Sequence, residues 1–266
     1  MGVRVGTDAP VLSAMGLGKR SGCDSRRLTG SSGGSSVGGG EASKDPQELF
    51  NEIVQCTDVL GLLGLVQQHG QLFQAGHIDV AWGKVAEIPK GGDDEKVVLQ
   101  LLGVITREQM QDLGAPQISE IVHWMVLLHG TGRMGVADAP ELMGELQARA
   151  TATVGDFEPM EVAMLIYGLS TMGISPDAGL LEAIQGRAQA TAGDFKPPDV
   201  TMLLHALAKV GATPEPGLLE AIQRRARETV ADFSQLEVSM TMSALEQMGV
   251  RSELSTRNPA RDVFMF

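Results

Sequence analysis

Three copies of one dipeptide at a fixed interval constrain this chain more than any other feature. Asp-Phe recurs at 156–157, 194–195 and 232–233, a spacing of 38 residues each time. The segment Leu180-Leu181-Glu182-Ala183-Ile184-Gln185 returns 38 residues later as Leu218-Leu219-Glu220-Ala221-Ile222-Gln223. Leu142-Met143 and Leu146-Gln147 hold the matching places one period earlier. A period of this size marks a stack of supersecondary units, each unable to bury its apolar face alone.

Within one unit the apolar spacing is that of two helices. Ser175 is a candidate N-cap, with Pro176 at the first helical position, where a missing N–H costs nothing. Leu180, Leu181, Ile184 and Ala188 then share one face. Gly193 stops this helix, and Phe195 in the link is expected to plug the gap between hairpins. Pro197 restarts helix, with Asp199 near its positive end. Val200, Leu203, Leu204, Leu207 and Val210 form the second apolar stripe, which Gly211 ends before Thr213-Pro214 opens the next unit. In the last unit Ser234 and Glu237 have the spacing of a capping box.

Earlier copies are degenerate. Met134-Gly135 matches Met172-Gly173, which puts Trp124, Leu127 and Leu128 at the places of Val162, Leu165 and Ile166. Phe73 fits the Phe195 place, followed by the stripe Ile78, Ala81, Trp82, Val85 and Ile88. Between these two units the spacing grows from 38 to 46, and the extra residues are expected in a loop near Gly91-Gly92-Asp93-Asp94. The fold class that follows is all-α. It is a right-handed α-solenoid of about five helical hairpins over residues 45–251, with a tail at 252–266.

Composition narrows the function. The chain carries 21 Lys and Arg against 33 Asp and Glu, a net charge of −12 over 266 residues. That excludes polybasic, whole-surface nucleic-acid binding and leaves only local basic patches. Aromatic residues are 4 %, so the core rests on aliphatic side chains and Met, which favours helices. Two cysteines, Cys23 and Cys56, exclude a disulfide framework or a four-thiolate zinc site. The longest apolar run, Val59 to Val66, is far below the ~18 residues of a membrane span. Residues 1–44 are Gly- and Ser-rich and read as a disordered leader. The first forty hold five basic and two acidic residues, whereas the remainder holds 16 and 31. A basic leader on an acidic body is the composition of an organelle transit peptide or of a plain flexible tail.

The 38-residue hairpin with Asp-Phe in its link and Leu203-Leu204-His205-Ala206-Leu207-Ala208-Lys209-Val210-Gly211 in its second helix resembles the octotricopeptide repeat. Leu65-Val66-Gln67-Gln68-His69-Gly70-Gln71-Leu72-Phe73, followed by Ile78 and Val85-Ala86, is similar to the helical region of FAST-kinase-like and RAP-domain proteins. The resemblance implies an organelle protein, mitochondrial or chloroplast, that binds single-stranded RNA and governs its stability, processing or translation. No RAP domain is expected in the short tail. The alternative is a protein–protein scaffold gripping a helix or extended peptide on its concave face. Neither reading calls for catalysis, a cofactor, a metal, a membrane or DNA.

Residues one period apart lie side by side in a stacked array. His129, Tyr167, His205 and Ser243 form one column, placed opposite the apolar stripe and so facing solvent or a ligand. Its rings suit stacking on splayed bases, or form an ordinary surface column or a contact with the next hairpin. Arg149, Arg187 and Arg225 form a second column, able to track phosphates or to pair with Asp156, Asp194 and Asp232, which recur as strictly. The salt-bridge ladder is the favoured option. Gln147, Gln185 and Gln223 form a third, suited to base edges or simply to helix. Arg224, Arg225 and Arg227 are the densest cation cluster and, with Lys209, the best local phosphate site. Gly130-Thr131-Gly132-Arg133-Met134-Gly135 matches a dinucleotide-binding pattern by letter, but it falls at a helix end and is read as a C-cap. His69, His77, His123, His129 and His205 show no metal-ligand spacing.

Overall fold

The computed structural model describes residues 44–135 and 140–250. All of the expected leader but Lys44, together with the C-terminal tail and Cys23, lies outside them. Each apolar stripe becomes a helix. In chain order these are α1 (Pro46–Gln55), α2 (Val59–His69), α3 (Ala75–Glu87), α4 (Gly92–Glu108), α5 (Ala115–Gly130) and α6 (Pro140–Ala152). They continue as α7 (Pro159–Thr171), α8 (Ala178–Ala190), α9 (Pro197–Lys209), α10 (Pro216–Glu228) and α11 (Gln235–Gln247). Among the described residues there is no strand.

The helices pair into five hairpins, α2–α3 to α10–α11, with α1 as a lone leading helix. First helices pack on first helices, α2 on α4 and α6 on α8 on α10. Second helices pack on second helices, from α1 through α3, α5, α7 and α9 to α11. The result is a two-layer α-solenoid with a main apolar core running between the layers and a small separate cluster around Ala226 in the last hairpin. Val200, Leu203, Leu204 and Leu207 are buried as their spacing requires, whereas Val210 is only half-buried.

Every hairpin turns through a single 3-10 turn: Gly70–Leu72, Met110–Asp112, Val154–Asp156, Ala192–Asp194 and Val230–Asp232. The next residue is Phe73, Leu113, Phe157, Phe195 or Phe233, extended at φ near −70°. The first four of these are buried plugs between hairpins, and Phe233 in the last one is half-buried. Gly193 sits inside a turn, and α8 has already ended at Ala190.

Caps explain the remaining boundaries. The N-cap of α8 is Asp177, whose carboxylate accepts the Leu180 N–H at 2.7 Å, so Ser175 and Pro176 stand before the helix. A carboxylate two residues further on is the stronger acceptor for the orphan N–H groups. Asp199 accepts the Lys196 N–H at 2.9 Å. The Ser234–Glu237 capping box forms with both hydrogen bonds. Gly173, Gly211 and Gly249 take the left-handed conformation that ends α7, α9 and α11.

The second hairpin departs from the period. Helix α4 has 17 residues and α5 has 16, against 13 in each of α6 to α11. The extra residues are therefore helical. Gly92 to Glu95 form the first turn of α4 instead of a loop, with three acids at its positive end. Downstream, α4 and α6 meet over a much shorter stretch than α2 and α4.

Candidate nucleic-acid interface

The Arg column does not form the expected ladder of salt bridges. Asp156, Asp194 and Asp232 are exposed, and none of them pairs with these arginines among the described residues. Arg187 instead reaches back one repeat, its Nε donating to the Phe157 carbonyl at 2.7 Å, and Arg225 does the same to Phe195 at 2.7 Å. Arg149 donates to the Leu113 carbonyl at 2.9 Å. The reason is geometric. The link residue follows a 3-10 turn, so its buried carbonyl has no helical partner and must be satisfied from outside. The hydroxyls of Thr153, Thr191 and Thr229 bond the carbonyls of the same arginines at 2.9–3.0 Å. That threonine column has the same 38-residue period and is a signal the sequence reading passed over.

The Gln column is a second inter-repeat joint. Gln147 Oε1 accepts the Asp177 N–H at 3.1 Å and Gln185 Oε1 accepts the Glu215 N–H at 2.9 Å. Each acceptor meets the N-cap backbone of the next hairpin's first helix. Gln223 is half-buried in the last hairpin, and the residue thirty positions on, Glu253, lies outside the described residues.

The ring column needs correction in register and in exposure. Counted nine residues from the N-caps Gln74, Gly114, Glu158, Lys196 and Ser234, it reads Gly83, His123, Tyr167, His205 and Ser243. His123, and not His129, is the member from α5. Ile118, and not Trp124, takes the Val162 place. The longer α5 defeats alignment from its C-terminal end. Tyr167 is 1 % exposed, so it does not face solvent, and its ring lies 6.0 Å from that of His205. His205 is half-buried and Ser243 exposed. His123 packs edge-on against Trp124, and burial pushes its imidazole down to about 4.

Of the remaining candidates, Arg224, Arg227 and Lys209 are exposed. His129 Nδ1 lies 3.3 Å from the Met134 carbonyl. Gly132 has φ +66° and closes α5 by donating to the His129 carbonyl at 3.0 Å, so the Gly-rich stretch is a C-cap. His77 is a capping residue. Its Nδ1 accepts the Gln74 N–H, which leaves Nε2 to donate to the Pro46 carbonyl at 2.8 Å. Among the described residues no group of His, Cys, Asp or Glu converges on a metal-sized site, and no helix is long and apolar enough to cross a membrane.

Two polar features were missed from sequence. Arg133 is buried against Glu95 at 2.7 Å and also donates to the Val85 and Ala86 carbonyls at 2.7 and 3.1 Å. The pair is almost solvent-free, and Arg133 holds the Glu95 carboxyl below its usual range against the opposing effect of burial. Arg107 pairs with Glu145 at 2.8 Å and Glu141 at 2.7 Å. Arg133–Glu95 and Arg107–Glu145 are each one period apart, so a search for opposite charges 38 residues apart finds both. On α3, burial pushes Asp79 up to about 7, and the nearby Glu120 carboxylate adds to it. The Trp124 indole N–H, 3.3 Å from Asp79 Oδ1, works the other way.

Tandem α-hairpins joined by recurring side-chain-to-backbone bonds define the class: a non-globular α-solenoid whose columns serve first as joints. Comparison with known families then places the chain. Residues 98–258 match the family model of the RNA-editing substrate-binding complex 6 protein. The match spans more than half of the sequence, and the chain belongs to that family. No curated protein matches it.

Proposed function

We propose that this chain is a non-catalytic, RNA-associated solenoid that works in organelle RNA metabolism, within an assembly that holds substrates for RNA editing. The family match carries the reading, because it covers nearly all of the second hairpin and the three that follow. The octotricopeptide-like second helix at 203–211 supports it, as do the exposed cations Arg224 and Arg227 on α10. Retention of single-stranded RNA on a filter, measured across salt, tests it. Wild type should bind weakly and salt-sensitively. Exchanging Arg224 and Arg227 for Gln should flatten the slope of log affinity against log salt by about 1.4, at about 0.7 per phosphate contact. Arg225 is left intact in that variant, because it holds the Phe195 carbonyl.

The acidic balance of −12 and the structural engagement of the Arg and Gln columns favour a second reading, a protein scaffold within the same kind of assembly. Wild type that retains no RNA at low salt leaves that reading in place.

A further inference from the structure

The longer second hairpin leaves a gap in the layer of first helices. Along α4, Lys96, Leu99, Gln100, Gly103, Val104 and Arg107 fall at i, i+3, i+4, i+7, i+8 and i+11, one helical face about 16 Å long at ~1.5 Å per residue. A regular array would cover such a face with the next first helix. Here α6 reaches it with its first two turns, where Pro140, Glu141 and Leu142 line the cleft and Glu145 pairs with Arg107, while His129 at the end of α5 and Met134 just after that helix close the far side. The cleft has a volume of about 830 Å³, within the ~300–1,000 Å³ of small-ligand sites.

Its chemistry points to an uncharged, flat, hydrogen-bonding ligand. Leu99, Val104, Met134 and Leu142 supply apolar walls, and His129 adds a planar ring. Arg107 and Arg133, the two guanidinium groups in the lining, are each bound to carboxylates, and the Lys96 ammonium pairs with Asp93 at 2.9 Å, so the cleft offers planes for stacking rather than a cluster of cations for phosphate. Gln100 is exposed along it and carries both a donor and acceptor amide. Gly103 at mid-face keeps the groove deep. A Cβ there would meet only Leu142, at 3.9 Å.

We infer that this cleft holds one splayed nucleobase of a single-stranded RNA. The inference rests on the RNA reading above and assigns it a base-binding position at the interruption of the repeat.

Gly103→Leu tests it by filling the groove. Leu is a better helix former than Gly, so the melting temperature should hold or rise. Affinity for single-stranded RNA should fall about 10-fold, the scale of one lost base-stacking contact, with the salt slope unchanged because no counterion is involved. Gln100→Ala, which disturbs no packing, should weaken binding several-fold and serves if the Leu variant melts early. RNA carrying 4-thiouridine should photocross-link to the peptides containing residues 96–107 and 129–134. Full affinity in a stably folded Gly103→Leu protein, or in Gln100→Ala, overturns the cleft while sparing the RNA reading. Wild type that retains no RNA overturns both.

Discussion

At the scale of single residues, the side chains that looked like readers of a ligand act largely as joints. Phe195 is fully buried and its carbonyl accepts Arg225, so Phe195→Ala removes a plug at an expected cost of about 3–5 kcal/mol. A thermal midpoint close to wild type would show that the link is not part of the core. Arg187→Ala strips the Phe157 carbonyl of its donor and should cost about 1–3 kcal/mol, read by urea unfolding. Lysine at 187 lacks the Nε donor and should restore little of the loss. Two ionisable groups, the half-buried Asp79 and the buried His123, oppose each other with pH. Asp79 is pushed up to about 7, so its contribution is present at low pH and lost as pH rises through that value. His123 is pushed down to about 4, so its contribution is present above the ordinary imidazole range and lost as pH falls. Between pH ~5 and ~6.5 the two slopes offset. Melting of Asp79→Asn should therefore rise with pH across that window, and melting of His123→Asn should fall. Parallel slopes in the two variants would contradict the assignment.

At the scale of elements, the period was legible and its joints were not. Pairs such as Leu180 and Ile184, or Leu203 and Leu207, announce which face of each helix is buried, because apolar spacing and packing obey one geometry. The five hairpins follow from that alone. Cap positions were harder. Ser175 and Asp177 both qualify as N-caps by residue type, and only the observed hydrogen bond to Leu180 decides between them. Asp177→Ala should cost about 1 kcal/mol and fray the start of α8, measurable as faster amide exchange in its first turn. Added helix length is equally hidden. A surplus of polar and Gly residues at 91–94 reads as loop, yet Asp93 and Asp94, with Glu95 after them, stabilise the first turn of α4. The longer α5 is hidden in the same way, and alignment from its C-terminal end shifts the ring column by six positions, from His123 to His129. The Arg and Gln columns were visible as columns. Their partners are backbone groups, which carry no letter in a sequence, and so the Arg residues were assigned to the Asp residues that do.

At the scale of the whole molecule, each hairpin among the described residues packs chiefly on its neighbours, so stability is distributed along the array. The last second helix, α11, buries few residues and should exchange its amides before α7 or α9. The leader poses a separate question. Residues 1–40 fused to a fluorescent reporter should direct it to an organelle, and a diffuse cytosolic signal would remove that part of the proposal. The two joints have one more consequence. Arg187 bonds a residue thirty places before it, and Gln185 one thirty places after it. Each unit thus contributes a donor backwards and an acceptor forwards, in the manner of interchangeable links in a chain. Excising residues 158–195, one full unit, brings Arg225 to the Phe157 carbonyl and Gln147 to the Glu215 amide with both bonds re-formed. The shortened protein should fold with its helix content reduced in proportion. A cut of the same length plus or minus two residues should not. Growth or loss of the array by whole units is therefore a change this architecture tolerates, and a shift of phase is one it does not.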